Sequence, residues 1–506
     1  MSKRDLFVSL SLKKKVSLPS SFNKIYLRMG DSIKQKAISS VIWSAIEQFS
    51  TLGIQMLCTL VVARFLKPSD FGTVGMLSIF TAVSLCLING GFKTALIRKK
   101  DSTDVDYSSV FYFNVFISIV LYGILFFCSK YIANFYNIPE LESISKVTFL
   151  VLPISAFSLI QVTILTKNIE FKTLFRASLI AAVVSGVIGI CLALYRKNVW
   201  AVVCQNLSFY SIQCIMLWMF SKWKPLMLFS SESIKSMFGF SMNMMLSSLV
   251  TTFFNNLYVL VIGKIFTPTD LGNFSQAHKL QNISSSSITE VVQRVSFPVL
   301  SKFQSDDAML AAVYKKIIRV TFFVVSFVMF LLMGSAKNLF SVLFDEKWVM
   351  AGSFFSILCL NGVLYPLDSI NLNVLSVKGK GRQYLTLEII RRVVLLIILF
   401  VSSFFDIETF VWGQVLYSII VLFINIYTSG KQINYSVASQ CKDLFPTFLL
   451  GFSMMIVLKT IDSHLIGNSI FRLMEQLILG TIIYIGIAFV FKNYALKELL
   501  AIISVY

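Results

Sequence analysis

The sequence predicts an all-α integral membrane protein of about fourteen transmembrane helices, with two pseudo-symmetric six-helix lobes and two further C-terminal helices. Three observations carry that expectation. The 506 residues are 56% apolar and only 14% charged, with a mean hydropathy of +0.77, whereas soluble domains carry roughly a quarter of their residues charged. The apolarity comes in sustained runs of about 20 residues, long enough for a helix to cross hydrocarbon, and not in the ten-residue alternation of a barrel. Finally, one phrase is written twice, 200 residues apart: ARFLKPSDF at Ala63–Phe71 and GKIFTPTDL at Gly263–Leu271. Pro68/Pro268, Asp70/Asp270 and Gly72/Gly272 fall in register, with Arg64 opposite Lys264. A fixed offset of this length marks two copies of one large unit.

Taken in order, residues 1–36 are basic and lack an apolar core long enough for a signal peptide. They read as a disordered cytoplasmic tail, in which Met29 offers an alternative start to Met1. Spans one to six lie near residues 37–63, 71–92, 108–129, 147–166, 177–195 and 199–220, forming an N-lobe over 37–222. Spans seven to twelve, near 236–262, 271–297, 317–336, 349–375, 384–404 and 409–428, form a C-lobe over 236–428. Spans thirteen and fourteen, near 444–459 and 474–491, are an appendage occupying 444–491, followed by a tail over 492–506. Span eight is polar for a membrane helix; the repeat supports it by pairing it with span two. Because six is even, the second copy enters from the same side as the first, giving parallel repeats about an axis along the membrane normal. In each repeated phrase Pro fixes φ, the hydroxyl and Asp cap the next helix, and Gly lets backbones approach.

The net charge of +20 fits topology better than nucleic-acid binding. With the N-terminus inside, 30 of the 45 Lys and Arg fall on the cytoplasmic side and 11 opposite, as the positive-inside rule expects. Both termini are then cytoplasmic, and no Arg–aromatic module accompanies the charge. The eight cysteines follow no metal or redox spacing, and seven lie in spans as packing residues.

Ionisable and amide groups inside hydrocarbon face a cavity or a partner. Span one carries Glu47, Thr51 and Gln55 on one face. Span seven repeats the stripe as Ser247, Thr251 and Asn255, extended by Asn243. At about 1.5 Å per residue, Glu47 lies about 15 Å deep. The competing reading makes these amides and hydroxyls glue between helices. Span eight clusters His278, Lys279, Gln281 and Asn282, with Glu290 about three turns on. Span ten places Asp368 beside Pro366, among Asn361, Asn371 and Asn373; span eleven sets Arg391 and Arg392 one turn after Glu388. A local ion pair with interfacial snorkelling is the plainer reading of those arginines, and Lys93 reads as interfacial by the same logic.

These phrases together resemble the Wzx-type polysaccharide or O-antigen flippases, near the colanic-acid exporter branch of the multidrug/oligosaccharidyl-lipid/polysaccharide exporter superfamily. The resemblance runs from Ala37 to about residue 430. It rests on ARFLKPSDFG with GGFKTALIRKKD, FYNIPEL, NIEFK and NVWAVVCQ in the first half. In the second half it rests on DLGNFSQAHKLQ, VSFPVLSKFQSD and FDEKW. It implies two six-helix lobes in a V, as in the multidrug and toxic-compound exporters. It also implies a cargo, an oligosaccharide on undecaprenyl pyrophosphate moved from the cytoplasmic to the periplasmic leaflet of a bacterial inner membrane. Lys279, Arg64, Lys264, Arg391 and Arg392 are then the cations that could face the pyrophosphate. FSQAHKLQ departs from relatives in carrying His278 and Lys279 together, so ligand residues do not transfer one by one.

The function expected is therefore flipping by alternating access, for O-antigen, capsule or exopolysaccharide synthesis. Glu47, Glu290 and Asp368 are the candidates for coupling to H+ or Na+. The P-loop pattern is absent from the sequence, and neither a cofactor nor a resident metal is expected. Another exporter of the same superfamily, an ion-coupled drug or cation antiporter or a flippase of another lipid-linked precursor, is the alternative. A membrane polymerase or ligase would need a sizeable outer loop, and here the connections are short. The expected partners are the lipid-linked oligosaccharide, the bilayer, and polysaccharide polymerase and chain-length machinery, with the chain itself a monomer.

Overall fold

A computed structural model describes residues 31–464 and 467–504; most of the expected N-terminal tail, with both candidate starts, lies outside the described residues. Residues 31–36, expected in that tail, already form the first turns of the helix Asp31–Phe65, which is span one. Every expected span is helical. Twelve of the described segments are long and apolar enough to cross a membrane. Spans eight and eleven, Pro268–Ser301 and Gly381–Ser402, are not among them, so apolarity alone does not carry the count of fourteen. Span eight buries Asn273, Gln276, Gln281 and Ser285, and span eleven half-buries Glu388, Arg391 and Arg392.

Span two is broken into Pro68–Met76, Ser78–Asn89 and Phe92–Arg98. Gly90 and Gly91, at φ of +50° and +70°, make the second break, since left-handed backbone favours glycine. A Cβ on Gly91 would stand 2.4 Å from the Ser241 carbonyl oxygen of span seven. Two hundred residues on, Glu290 and Val291 lie inside an unbroken helix. The two copies have diverged at this point.

The connection between the lobes is clasped by span three, Asp104–Tyr136. The Leu226 amide donates to Ser108 Oγ at 2.9 Å and the Ser230 amide to Ser109 Oγ at 2.8 Å. Ser233 Oγ donates to Asp106, which also holds Lys99 at 2.7 Å. Ile234 and Met237, in the first turns of span seven, are buried with Phe92, Leu96, Tyr107 and Phe111. Span seven then breaks at Asn256. Its outer piece, Leu257–Ile265, packs in the main core through Leu257, Tyr258 and Ile262. One helix thus begins against the N-lobe and ends in the core that both lobes share.

The appended spans, Val437–Ile461 and Ser469–Val490, dock on span nine, Asp307–Leu343, at both ends. Arg319 pairs with Asp443 at 2.8 Å at one end; at the other, Asn338 donates to Gln476 Oε1 at 3.0 Å and to Asp462. Between them the Tyr484 hydroxyl donates to the Phe323 carbonyl at 2.8 Å. Where a plain tail is expected, Tyr494–Ser504 is a further helix. All eight cysteines are free thiols.

Candidate functional site

The repeated phrase forms the seam between the lobes. Pro68 and Pro268 each open a helix, where a missing N–H costs nothing. Asp70 accepts the Lys67 amide at 2.9 Å, and Asp270 accepts the Thr267 amide at 3.1 Å. Each carboxylate thus satisfies one of the free donors at a helix start. The two starts cross each other at Gly72 and Gly272. A Cβ on Gly72 would lie 1.7 Å from the Pro268 carbonyl oxygen, and one on Gly272 1.8 Å from that of Pro68. The contact is reciprocal, as a pseudo-twofold axis through the seam requires.

Arg64 and Lys264 repeat the symmetry. Arg64 donates across the seam to the Val342 and Leu343 carbonyls, where span nine ends; Lys264 donates to the Phe135 carbonyl, where span three ends. Spans three and nine are equivalent members of the two lobes. Each cation therefore caps the free carbonyls of the opposite lobe's third helix. Lys347 Nζ donates to the Arg64 carbonyl at 2.6 Å, and Trp348 Nε1 to that of Ala63 at 3.1 Å. The structure places Arg64 and Lys264 at this seam and not in a cavity.

Inside the C-lobe lies a cavity of about 560 Å³ between spans seven, eight, ten, eleven and twelve. Its wall holds seven of the sequence candidates: Thr251, Asn255, His278, Asn282, Asp368, Arg391 and Arg392. Arg391 bridges two acids, with Nη2 at 2.6 Å from Asp368 and Nη1 at 3.1 Å from Glu388. Arg392 reaches Glu388 at 3.4 Å and lies over the Phe254 ring at 4.9 Å. Asn425 of span twelve, Ile407–Gln432, donates to Asp368. Two acids and two guanidinium groups are thus paired among themselves. Asn282 Nδ2 sits 3.2 Å from the His278 ring, which stacks on Phe274.

The remaining candidates are distributed around this centre. Asn243 and Ser247 are exposed on the face of span seven that leads to Thr251 and Asn255. Lys279 is exposed and stands beside Met56 and Thr59 of span one, between the lobes. Gln281 is instead buried in the C-lobe, donating to Ser285 Oγ at 3.0 Å beside Gly362. Glu47 accepts from Ser178 of span five at 3.2 Å, and Gln213 of span six donates to Ser178 at 3.0 Å. Its carboxylate therefore turns toward the N-lobe interior, within the field of Lys93. Thr51 and Gln55 are half-buried on the same helix, and Glu290 is half-buried outside the cavity wall.

Several functional neighbours escape a search for charges alone. Tyr258, Tyr365, Gln414, Tyr417 and Ser418 all line the cavity. Gln414, Ser418 and Asn425 recur at helical spacing along span twelve, a polar stripe of the kind sought in spans one and seven. Lys93 reads from the sequence only as interfacial, because the acid whose field reaches it, Glu47, lies on another helix.

Comparisons with known proteins bear on the family and the fold. The chain is 24% identical to the teichuronic acid biosynthesis protein TuaB of Bacillus subtilis (strain 168), over 69% of this chain and 73% of that one. It is also 24% identical to the succinoglycan biosynthesis transport protein ExoT of Rhizobium meliloti (strain 1021), over 70% and 72%. Among solved structures, the lipid II flippase MurJ in an inward closed conformation superposes with a TM-score of 0.71. That match covers 89% of this chain and 98% of MurJ, at 14% identity, and so shows a shared fold. The sequence profile of polysaccharide biosynthesis proteins matches residues 61–353, and the chain belongs to that family.

Proposed function

We propose that the protein is a flippase carrying an oligosaccharide on undecaprenyl pyrophosphate from the cytoplasmic to the periplasmic leaflet by alternating access. The observation that carries this reading is the seam. Two duplicated lobes meet by backbone crossing at one end, while a cavity walled by paired ions, amides and tyrosines lies within their membrane helices. A glycan-pyrophosphate headgroup cannot enter hydrocarbon unaided, because an unscreened buried charge costs many kcal/mol. A polar cleft removes that cost while the polyprenyl tail stays in lipid. The relatives named for teichuronic acid and succinoglycan synthesis, and the fold shared with a lipid II flippase, support the same cargo class.

In this reading the protein is a transporter and not an enzyme, resides in a bacterial inner membrane with both termini cytoplasmic, and works as a monomer alongside polymerase and chain-length machinery. The seam is then the periplasmic end. Lys279, exposed between the lobes, is the cation best placed to meet the pyrophosphate by a charge-assisted hydrogen bond. Coupling to H+ or Na+ would draw on Glu47, Glu290 or Asp368; at Asp368 it would require Arg391 to let go first.

The test is a deletion strain and reconstituted vesicles. Loss of the gene should leave lipid-linked oligosaccharide on the cytoplasmic leaflet and remove surface polysaccharide. Purified protein should move the extracted lipid across vesicle bilayers, and Lys279→Gln should slow it. A deletion with normal surface polysaccharide, or one that instead raises drug sensitivity, would refute the reading.

A further inference from the structure

We propose that the C-lobe cavity is a subsite for uncharged sugar residues, separate from the place where the anionic part of the cargo binds. The proposal rests on the flippase reading and adds a location and a ligand chemistry to it.

Three features point there. First, the cavity is electrically closed: Asp368, Glu388, Arg391 and Arg392 are joined in one chain of contacts at 2.6, 3.1 and 3.4 Å. An incoming phosphate would have to displace a carboxylate from a guanidinium, whereas a neutral ligand leaves the chain intact. Second, two polar side chains in the wall are more than nine-tenths buried and lack a partner among the described residues. They are the Tyr258 hydroxyl and Gln414 Oε1, in residues 7% and 8% exposed. Buried polar groups are nearly always hydrogen-bonded, and an unpaired one in a native structure needs an explanation. A sugar hydroxyl both donates and accepts, so it can serve a carbonyl oxygen and a phenol alike. Third, Phe254, Tyr365 and Tyr417 line the same space. They supply large apolar faces beside the amides of Asn255, Asn282 and Asn361, the combination of broad apolar contact and few fixed polar groups that holds a small ligand in register. A cavity of about 560 Å³ lies within the range of ligand sites, roughly 300–1,000 Å³.

The consequence is a division of labour. Exposed Lys279 lies between the lobes beside Met56 and Thr59, while the cavity lies wholly within the C-lobe. The glycan would turn into the C-lobe and the pyrophosphate would remain between the lobes.

Full-length protein in lipid nanodiscs tests this with two probes: undecaprenyl pyrophosphate, and the lipid-linked oligosaccharide extracted from the deletion strain. Tyr258→Phe and Gln414→Leu each remove an unpaired group, so neither should lower thermal stability; removing an unsatisfied polar group is neutral or stabilising. Each should weaken binding of the glycan-bearing lipid by about threefold to tenfold, the worth of one neutral hydrogen bond, and leave undecaprenyl pyrophosphate binding unchanged. Unchanged binding of the glycan-bearing lipid in both variants, or an equal loss for both lipids, overturns the subsite. A wild-type protein that binds neither lipid overturns the flippase reading itself, so the two failures are distinguishable.

Discussion

Replacing Gly72 with alanine should push the seam open. The added Cβ would stand 1.7 Å from the Pro268 carbonyl oxygen, with the Gly272 amide nitrogen at 3.0 Å. Both obstacles are backbone at the start of a helix, so no change of rotamer relieves them. The two helix starts must part by roughly 1.5 Å before contact distances become ordinary, a case of overpacking that costs about 1–3 kcal/mol. Spent against one of two lobe arrangements, that shifts the balance between them roughly 5- to 150-fold. Spin labels on Ser69→Cys and Thr269→Cys, in a version lacking the eight native cysteines, report the separation across the seam directly. Gly72→Ala should deplete the short-distance population, and Gly272→Ala should do the same from the other side, where the distance is 1.8 Å. Gly239→Ala is the control: nothing lies within 4 Å of a Cβ there, and alanine in a helix interior is favoured by about 1 kcal/mol. A distance distribution in Gly72→Ala identical to that of Gly239→Ala would show that the backbones do not meet at these glycines.

Other perturbations have equally specific outcomes. Arg391→Leu leaves Asp368 buried without its cation and should cost about 3–5 kcal/mol. The double change with Asp368→Asn should recover most of the lost thermal stability, and a double variant no better than the single one refutes the pairing. Arg64→Gln and Lys264→Gln each release helix-end carbonyls at an exposed site, so each should cost no more than about 1 kcal/mol at low ionic strength. The two losses should add and shrink in salt, as the same spin-label pair would report. Asp406 lies just outside span twelve. The Thr409 hydroxyl at 2.6 Å, with nearby amides, holds its carboxyl below the usual range near 3.9. Its contribution is therefore complete above the unfolded-state value and lost as pH falls through the lower folded-state value. Asp406→Asn should flatten the decline of the thermal midpoint below about pH 4; an unaltered decline would assign the acid limb elsewhere.

Much of the architecture was legible because hydrocarbon leaves few choices: runs of about 20 apolar residues must be helices. The repeat gave span eight its place despite its polarity, and the helix Pro268–Ser301 occupies it. What the repeat could not say is where its own residues go. Pro68 and Asp70 read as a local turn and indeed open and cap the helix, and Gly72 reads as a place where backbones approach. The tightest contacts of Pro68 and Gly72, however, are with Gly272 and Pro268 of the other copy, and no local pattern encodes a crossing. Arg64 and Lys264 look like cleft cations for the same reason: a charge at the end of a span has no direction until the opposite lobe is in place. The cavity was half visible. Its charges stand out against an apolar background, but Tyr258 and Tyr417 are indistinguishable from packing tyrosines until their neighbours are known. Gln281 shows the converse, a conspicuous amide whose nitrogen donates to Ser285 inside the lobe and not into the cavity.

The mutual crossing at Gly72 and Gly272 also bears on how the duplicated halves have aged. After a duplication the copies are free to drift apart, and here one half has acquired a left-handed break at Gly90–Gly91 where the other keeps a smooth helix through Glu290. At the crossing that freedom vanishes, because each copy's proline carbonyl is the ceiling over the other copy's glycine. A side chain gained on either one is felt by both. The wording common to both copies therefore stands where each backbone confines its own counterpart, whereas Gly91 meets Ser241, which is not its counterpart.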